Sequence, residues 1–339
     1  MKRLWVSLAL ALSTALLAVP MASAHTPLNP GSNATLAGAT VIPDSLKSWA
    51  VYAELPHARA VQYYEFDATK GEKVPIELFT SSAEQRQGFA PNFVLIGPGI
   101  PNGGTTPSYV ESPPNAGRMV FAGASAAHGT YEAFSPSVFF SVAATNFIAP
   151  ADGTYYVSVF DEQRGGRYGI AIGDAERFTA YQWVTTPLAF SRIYRWEGQN
   201  PLLVYLPAFL VLVIGVSLLV RSGRRARPLD LPARLGAIAG LLFIGSSVTV
   251  AEQMAISLMR SVPDASVIAT LVLVTLPLVV GVLTLLLALR RSERWTILWR
   301  LMLAALGVVA LAVWAGWIVG PALAAVAAFV PSRCEPPFS

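Results

Sequence analysis

The stretch "APADGTYYVSVFDEQRGGRYGIAIGD", Ala149 to Asp174, decides how the N-terminal part of the chain is read. It holds two short runs in which apolar side chains alternate with others: Tyr155, Val157 and Val159, then Tyr168, Ile170 and Ile172. A period of two places each set on one face of a strand. The turn formers "ADG" and "EQRGG" bound the runs, so the stretch predicts a hairpin with one buried face.

The same pattern extends upstream. "SWAVYAEL" (Ser48 to Leu55), "VQYYEFDA" (Val61 to Ala68), "KVPIELFT" (Lys73 to Thr80) and "NFVLIGPG" (Asn92 to Gly99) are rich in aromatic and β-branched residues, with turns such as "DATKGEK" between them. Residues 25–199 therefore predict an antiparallel β-sandwich, an all-β domain large enough to hold one core. The only cysteine is Cys334, so no intramolecular disulfide supports that core.

The hairpin Ala149 to Asp174 resembles the closing pair of bacterial pre-peptidase C-terminal domains (PPC domains), in which a Gly-Thr-Tyr strand precedes a Gly-x-Tyr strand. "AVQYYEFDATKGEKVPIELFT", Ala60 to Thr80, is similar to their opening pair. The resemblance implies a small jelly-roll-like β-sandwich that binds or spaces and does not catalyse. This chain departs from that pattern in a Gly- and Pro-rich insertion from Gly97 to about Ala133, read either as a surface excursion or as a binding loop carrying Tyr109, Met119, Phe121, His128 and Tyr131.

Composition places this domain at a membrane. The chain has 339 residues, 54% of them hydrophobic and 13% charged, too apolar for an ordinary soluble protein. Residues 1–24 have Lys2 and Arg3, an apolar run and the small-x-small triplet Ala22-Ser23-Ala24, the layout of a cleaved signal peptide that would leave His25 first. Four later segments approach the roughly 20 residues that a bilayer core requires: 202–220, 235–259, 267–289 and 301–319. The expected architecture is thus an all-β ectodomain on an all-α four-helix transmembrane domain, residues 200–330, with 331–339 as an extracytoplasmic tail.

Arginine placement sets the orientation. Arg221, Arg224, Arg225, Arg227 and Arg234 lie between the first two spans, and Arg290, Arg291, Arg294 and Arg300 between the last two, so those loops read as cytoplasmic and the N-terminal domain as outside the cell membrane. Residues 25–199 hold 11 Lys and Arg against 15 Asp and Glu. The net charge of +4 is therefore topological, and it excludes a nucleic-acid footprint. The partners it implies are membrane lipid and another membrane or extracytoplasmic protein.

Candidate chemistry is sparse. A mature N-terminal His25 could chelate copper through its amine and imidazole, with His57 or His128 completing a three-nitrogen set; this resembles histidine-brace copper proteins, the alternative being that His25 is incidental. Glu252 is the one acidic residue within a span, either facing a protein interior with Gly245 and Thr249 or snorkelling outward. "GASAAHG", Gly123 to Gly129, lacks the spacing of a nucleophile elbow, and "GPGIPNGG" has no Lys-Ser/Thr after it, so neither supports catalysis. Two functions follow: a non-enzymatic, membrane-anchored binding or accessory protein, or a copper-binding protein centred on His25.

Overall fold

The computed structural model describes residues 25–223, 229–290 and 296–331. The expected signal peptide, Arg224, Arg225, Arg227, Arg291, Arg294 and Cys334 lie outside them.

Eleven strands form two facing sheets. The first has the order β1-β3-β11-β5-β9-β8: β1 (Thr26–Leu28), β3 (Trp49–Leu55), β5 (Lys73–Ser81), β8 (Thr130–Glu132), β9 (Ser137–Ile148) and β11 (Gly166–Ile172). The second is β2-β4-β10-β6-β7: β2 (Thr40–Val41), β4 (Val61–Ala68), β6 (Asn92–Gly97), β7 (Gly117–Phe121) and β10 (Gly153–Phe160). The alternation seen in the sequence packs the core between them. Tyr155, Val157, Val159, Tyr168 and Ile170 are fully buried, and Ile172 is 1% exposed. The Tyr64 and Tyr168 hydroxyls bond each other at 2.7 Å within the core, which satisfies two buried polar groups at once.

Three features differ from the expected antiparallel sandwich. β1 and β2 pair in parallel with β3 and β4, making both sheets mixed, because the N-terminal segment lies along one edge of each sheet. The insertion is not a free loop. It supplies β7 and β8, one edge strand for each sheet, and Phe121 stacks on Phe93 at 4.6 Å while Tyr109 meets Phe160 edge-on. β9, the longest strand, has no clean alternation, since it crosses a bulge opposite Leu78/Phe79.

The rest is helical: α1 (Ser82–Arg86), α2 (Ala180–Trp196), α3 (Pro201–Gly223), α4 (Leu231–Leu258), α5 (Val267–Leu289), α6 (Ile297–Ala312) and α7 (Val319–Phe329). Among the described residues, only α3, α4 and α5 are long and apolar enough to cross a membrane. The expected fourth span, 301–319, is instead a broken hairpin. Residues 313–318 leave the helix, with Trp314, Gly316 and Trp317 in the left-handed region at φ 57°, 63° and 56°. The Gly316 amide donates to Ser246 Oγ at 2.7 Å, so the broken backbone is satisfied from α4. α7 then folds back along α6, and Arg300 Nη1 donates to the Ala328 and Val330 carbonyls at 3.1 Å. Val330 therefore sits at the Arg300 end of the hairpin.

α2 was not expected at all. Its capping box, Thr179 with Gln182, starts a helix that lies between sheet and bundle. Trp196 Nε1 donates to the Tyr168 carbonyl at 2.9 Å, and Trp183 Nε1 to the Ala312 carbonyl at 3.1 Å. Tyr131 adds a direct link: its hydroxyl donates to Thr270 Oγ1 at 2.7 Å, and Thr270 donates to the Ala133 carbonyl at 2.7 Å.

Candidate functional site

The outer face of the first sheet is low where it meets the helices. Period-two alternation points Gly169, Ala171 and Gly173 outward; Ala171 and Gly173 line the floor with Glu77, Ala144 and Asn146, while Gly169 is covered by the Phe79 ring. Gly169 is required there: a Cβ would lie 2.1 Å from the Phe79 ring. Phe79, Tyr52 and Trp196 pack edge-on beside this floor. A half-open cavity of about 830 Å³ remains between the floor, the β8 strap and the α4–α5 turn.

Its walls carry Glu77, Glu132, Asp174, Asp264 and His25, and among the described residues neither Lys nor Arg lines it. Glu132 is the deepest of these, 9% exposed, with the Phe134 amide donating to Oε1 at 3.2 Å. Among the described residues it forms no ion pair. Desolvation, reinforced by the charge of Glu176, pushes its carboxyl up to about 8, so it holds a proton near neutral pH. Behind it lies Tyr52, whose hydroxyl is raised first by burial and then by the charges of Glu132 and Glu197. Burial raises the Glu197 carboxyl as well, although it accepts from the Val138 amide and the Gln199 side chain, both at 2.8 Å, and lies near Arg260.

His25 stands at the cavity rim, where parallel pairing sets it beside Ser48. Its Nδ1 is 2.6 Å from Ser48 Oγ, and burial brings the imidazole down to about 4. Ser48 is 1% exposed and does not line the cavity, so this pair offers no accessible nucleophile.

The structure does not gather the three histidines. His57 follows the far end of β3, and the strand between Ser48 and Leu55 alone spans roughly 23 Å. His57 is exposed, bonded to the Ala58 carbonyl, and His128 is exposed in the loop before β8. Among the described residues, no three His, Cys, Asp or Glu side chains are placed to hold a metal ion. Of the other binding-loop candidates, Met119 and Phe121 pack against the core, whereas Tyr131 packs against the bundle and also lines the cavity.

Glu252 lies apart from the cavity. Gly245, on the same face of α4, packs against Ala208 of α3 so closely that a Cβ added there would lie 3.2 Å from the Ala208 backbone, and this face therefore meets α3. Glu252 is half-buried, and among the described residues its Oε2 has no hydrogen-bond partner.

Sequence reading missed Glu132, Glu197 and Tyr52. The available signal was an acid set between aromatics in "TYEAF", Thr130 to Phe134, which is costly to bury without a purpose. The chain matches no protein-family model, and comparison with curated proteins returns no match.

Proposed function

We propose that this protein is a membrane-anchored, extracytoplasmic binding protein, non-enzymatic, whose junction cavity takes an extended organic cation such as a linear polyamine. The observation that carries this reading is the cavity lining: Glu77, Asp174 and Asp264 besides the proton-holding Glu132 and, among the described residues, no Lys or Arg in about 830 Å³, a volume in the usual range of ligand sites. The acids are distributed around the walls and do not converge on a point, which favours several ammonium groups on one chain over a metal ion. The resemblance of Ala149 to Asp174 to PPC-type domains fits a binding role, and the arginine bias of the loops supports a cavity on the outer side.

The same bias supports α3, α4 and α5 as the crossing segments, with the Arg300 end of the α6–α7 hairpin on the inner side. The rigid link through Tyr131 and Thr270 would let an occupied cavity be felt by the bundle or by a partner docked on it.

Calorimetric titration of the detergent-purified chain with spermidine at pH 7 tests the ligand class. Saturable binding that Glu77→Gln, Asp174→Asn and Asp264→Asn together abolish supports it; binding unchanged by the triple variant overturns it. Labelling Lys70→Cys, but not Arg221→Cys, with an impermeant maleimide in intact cells tests the side.

A further inference from the structure

A second concavity lies lower, where α2 meets α3 and α4. It is an apolar groove of about 490 Å³, lined by Leu188 and Ser191 of α2, Tyr205, Phe209 and Leu212 of α3, and Trp317 of the broken hairpin. Tyr205 to Leu212 is seven residues, so the groove follows α3 for roughly 10 Å. It opens sideways onto the apolar α3 face carrying exposed Leu202, Leu206, Phe209 and Val213.

The two ends of the groove differ. At the Tyr205 end, Arg195 Nε donates to the Ser191 carbonyl at 3.2 Å, which holds the guanidinium over Ser191. The Ser191 hydroxyl donates to the Leu188 carbonyl at 3.3 Å, and Arg195 lies close enough to the Tyr205 hydroxyl to act on it electrostatically. Arg192, one turn earlier, is turned away to Asn29, to whose Oδ1 its Nη1 donates at 2.5 Å. Toward Phe209 and Leu212 the walls are apolar throughout.

Trp317 is held open in this arrangement. Its φ of 56° lies in the left-handed region, which strains a residue that carries a Cβ. The strained backbone stands its ring edge-on to Tyr205 at 5.8 Å, making one wall of the groove.

We infer that this groove is a specific site for one glycerophospholipid of the surrounding bilayer, with its phosphate at Arg195, Ser191 and Tyr205 and one acyl chain along Phe209 and Leu212. A guanidinium binds phosphate through paired N–H donors, and an acyl chain meets the apolar walls without leaving the hydrocarbon layer. Charge complementarity at one end and apolar continuity at the other call for an amphipathic anion, which a soluble phosphate cannot match.

The test uses the full chain purified in detergent, given phosphatidylglycerol, and read by native mass spectrometry. The expected result is one lipid retained per chain. Arg195→Gln should weaken retention about tenfold, as expected for a lost charge-assisted contact, with Arg195→Lys retaining most of it. Leu212→Trp, which fills the groove and leaves the cation in place, should abolish it. Glycerol phosphate in excess should not displace the lipid. A ladder of several equivalent lipids indifferent to Arg195→Gln and Leu212→Trp, or retention lost to glycerol phosphate, overturns the inference. The thermal midpoint of each variant separates loss of site from loss of fold.

Discussion

Replacing Glu132 by Gln should change how stability depends on pH while leaving the local hydrogen bond intact, because the amide oxygen still accepts from Phe134. In the folded chain the Glu132 carboxyl titrates at about 8 against 4.5 for an unperturbed glutamate. The folded state holds a proton that the unfolded chain has released, so this group's stabilisation is full below 4.5 and is lost as pH rises to 8. At 1.36 kcal/mol per pH unit the whole swing is about 5 kcal/mol. His25 acts in the opposite sense: lowered from 6.5 to about 4, it costs stability as pH falls through that interval, by about 3 kcal/mol.

Between pH 4.5 and 6.5 the two slopes oppose each other, and above 6.5 the Glu132 slope is uncovered. From pH 6.5 to 8 it amounts to about 2 kcal/mol. Thermal midpoints of detergent-solubilised protein, at one scan rate and at pH 5.5, 6.5, 8 and 9, read this directly. Wild type should lose several degrees between pH 6.5 and 8, and Glu132→Gln should lose much less. Parallel curves for the two proteins would refute the assignment of a buried, proton-holding carboxyl at the junction.

Three further outcomes are expected. Tyr131→Phe removes the donor to Thr270 and should cost about 1 kcal/mol, with faster proteolytic cleavage between the sheets and the bundle. Gly169→Ala forces a Cβ to within 2.1 Å of Phe79 and should destabilise by about 1–3 kcal/mol, seen as a lowered midpoint and increased Trp196 fluorescence quenching by iodide. Ser246→Ala strips the Gly316 amide of its acceptor in a buried turn and should cost about 1–3 kcal/mol, whereas Ser246→Thr should retain most of the stability.

The strands of the core were legible because period two is a local property. Val61–Ala68 is the strand its residues predicted, and the Tyr155 and Tyr168 sets are both buried. The spanning helices were legible for a similar reason, since length and apolarity suffice to mark Pro201–Arg221, Leu231–Leu258 and Val267–Leu289. The broken hairpin was not. Residues 301–319 are apolar throughout, and helical continuity at 313–318 is set by what surrounds the backbone: Ser246 as acceptor for Gly316, and Phe243 pressed against Gly316 and Gly320.

The candidate site was legible only in one member. His25 drew attention as the residue after a leader-like segment, yet its neighbours in space, Ser48 and Glu132, are 23 and more residues away in sequence. By itself the sequence determined the strand-rich domain, the apolar helices and the arginine asymmetry of their loops, because each rests on hydropathy and charge counted along the chain. Tertiary structure alone decided that three histidines stay apart, that four acids ring one cavity, and that Arg195 stands over an apolar groove. Those are distances between elements, fixed by how sheet, α2 and bundle pack, and no local pattern of residues encodes them.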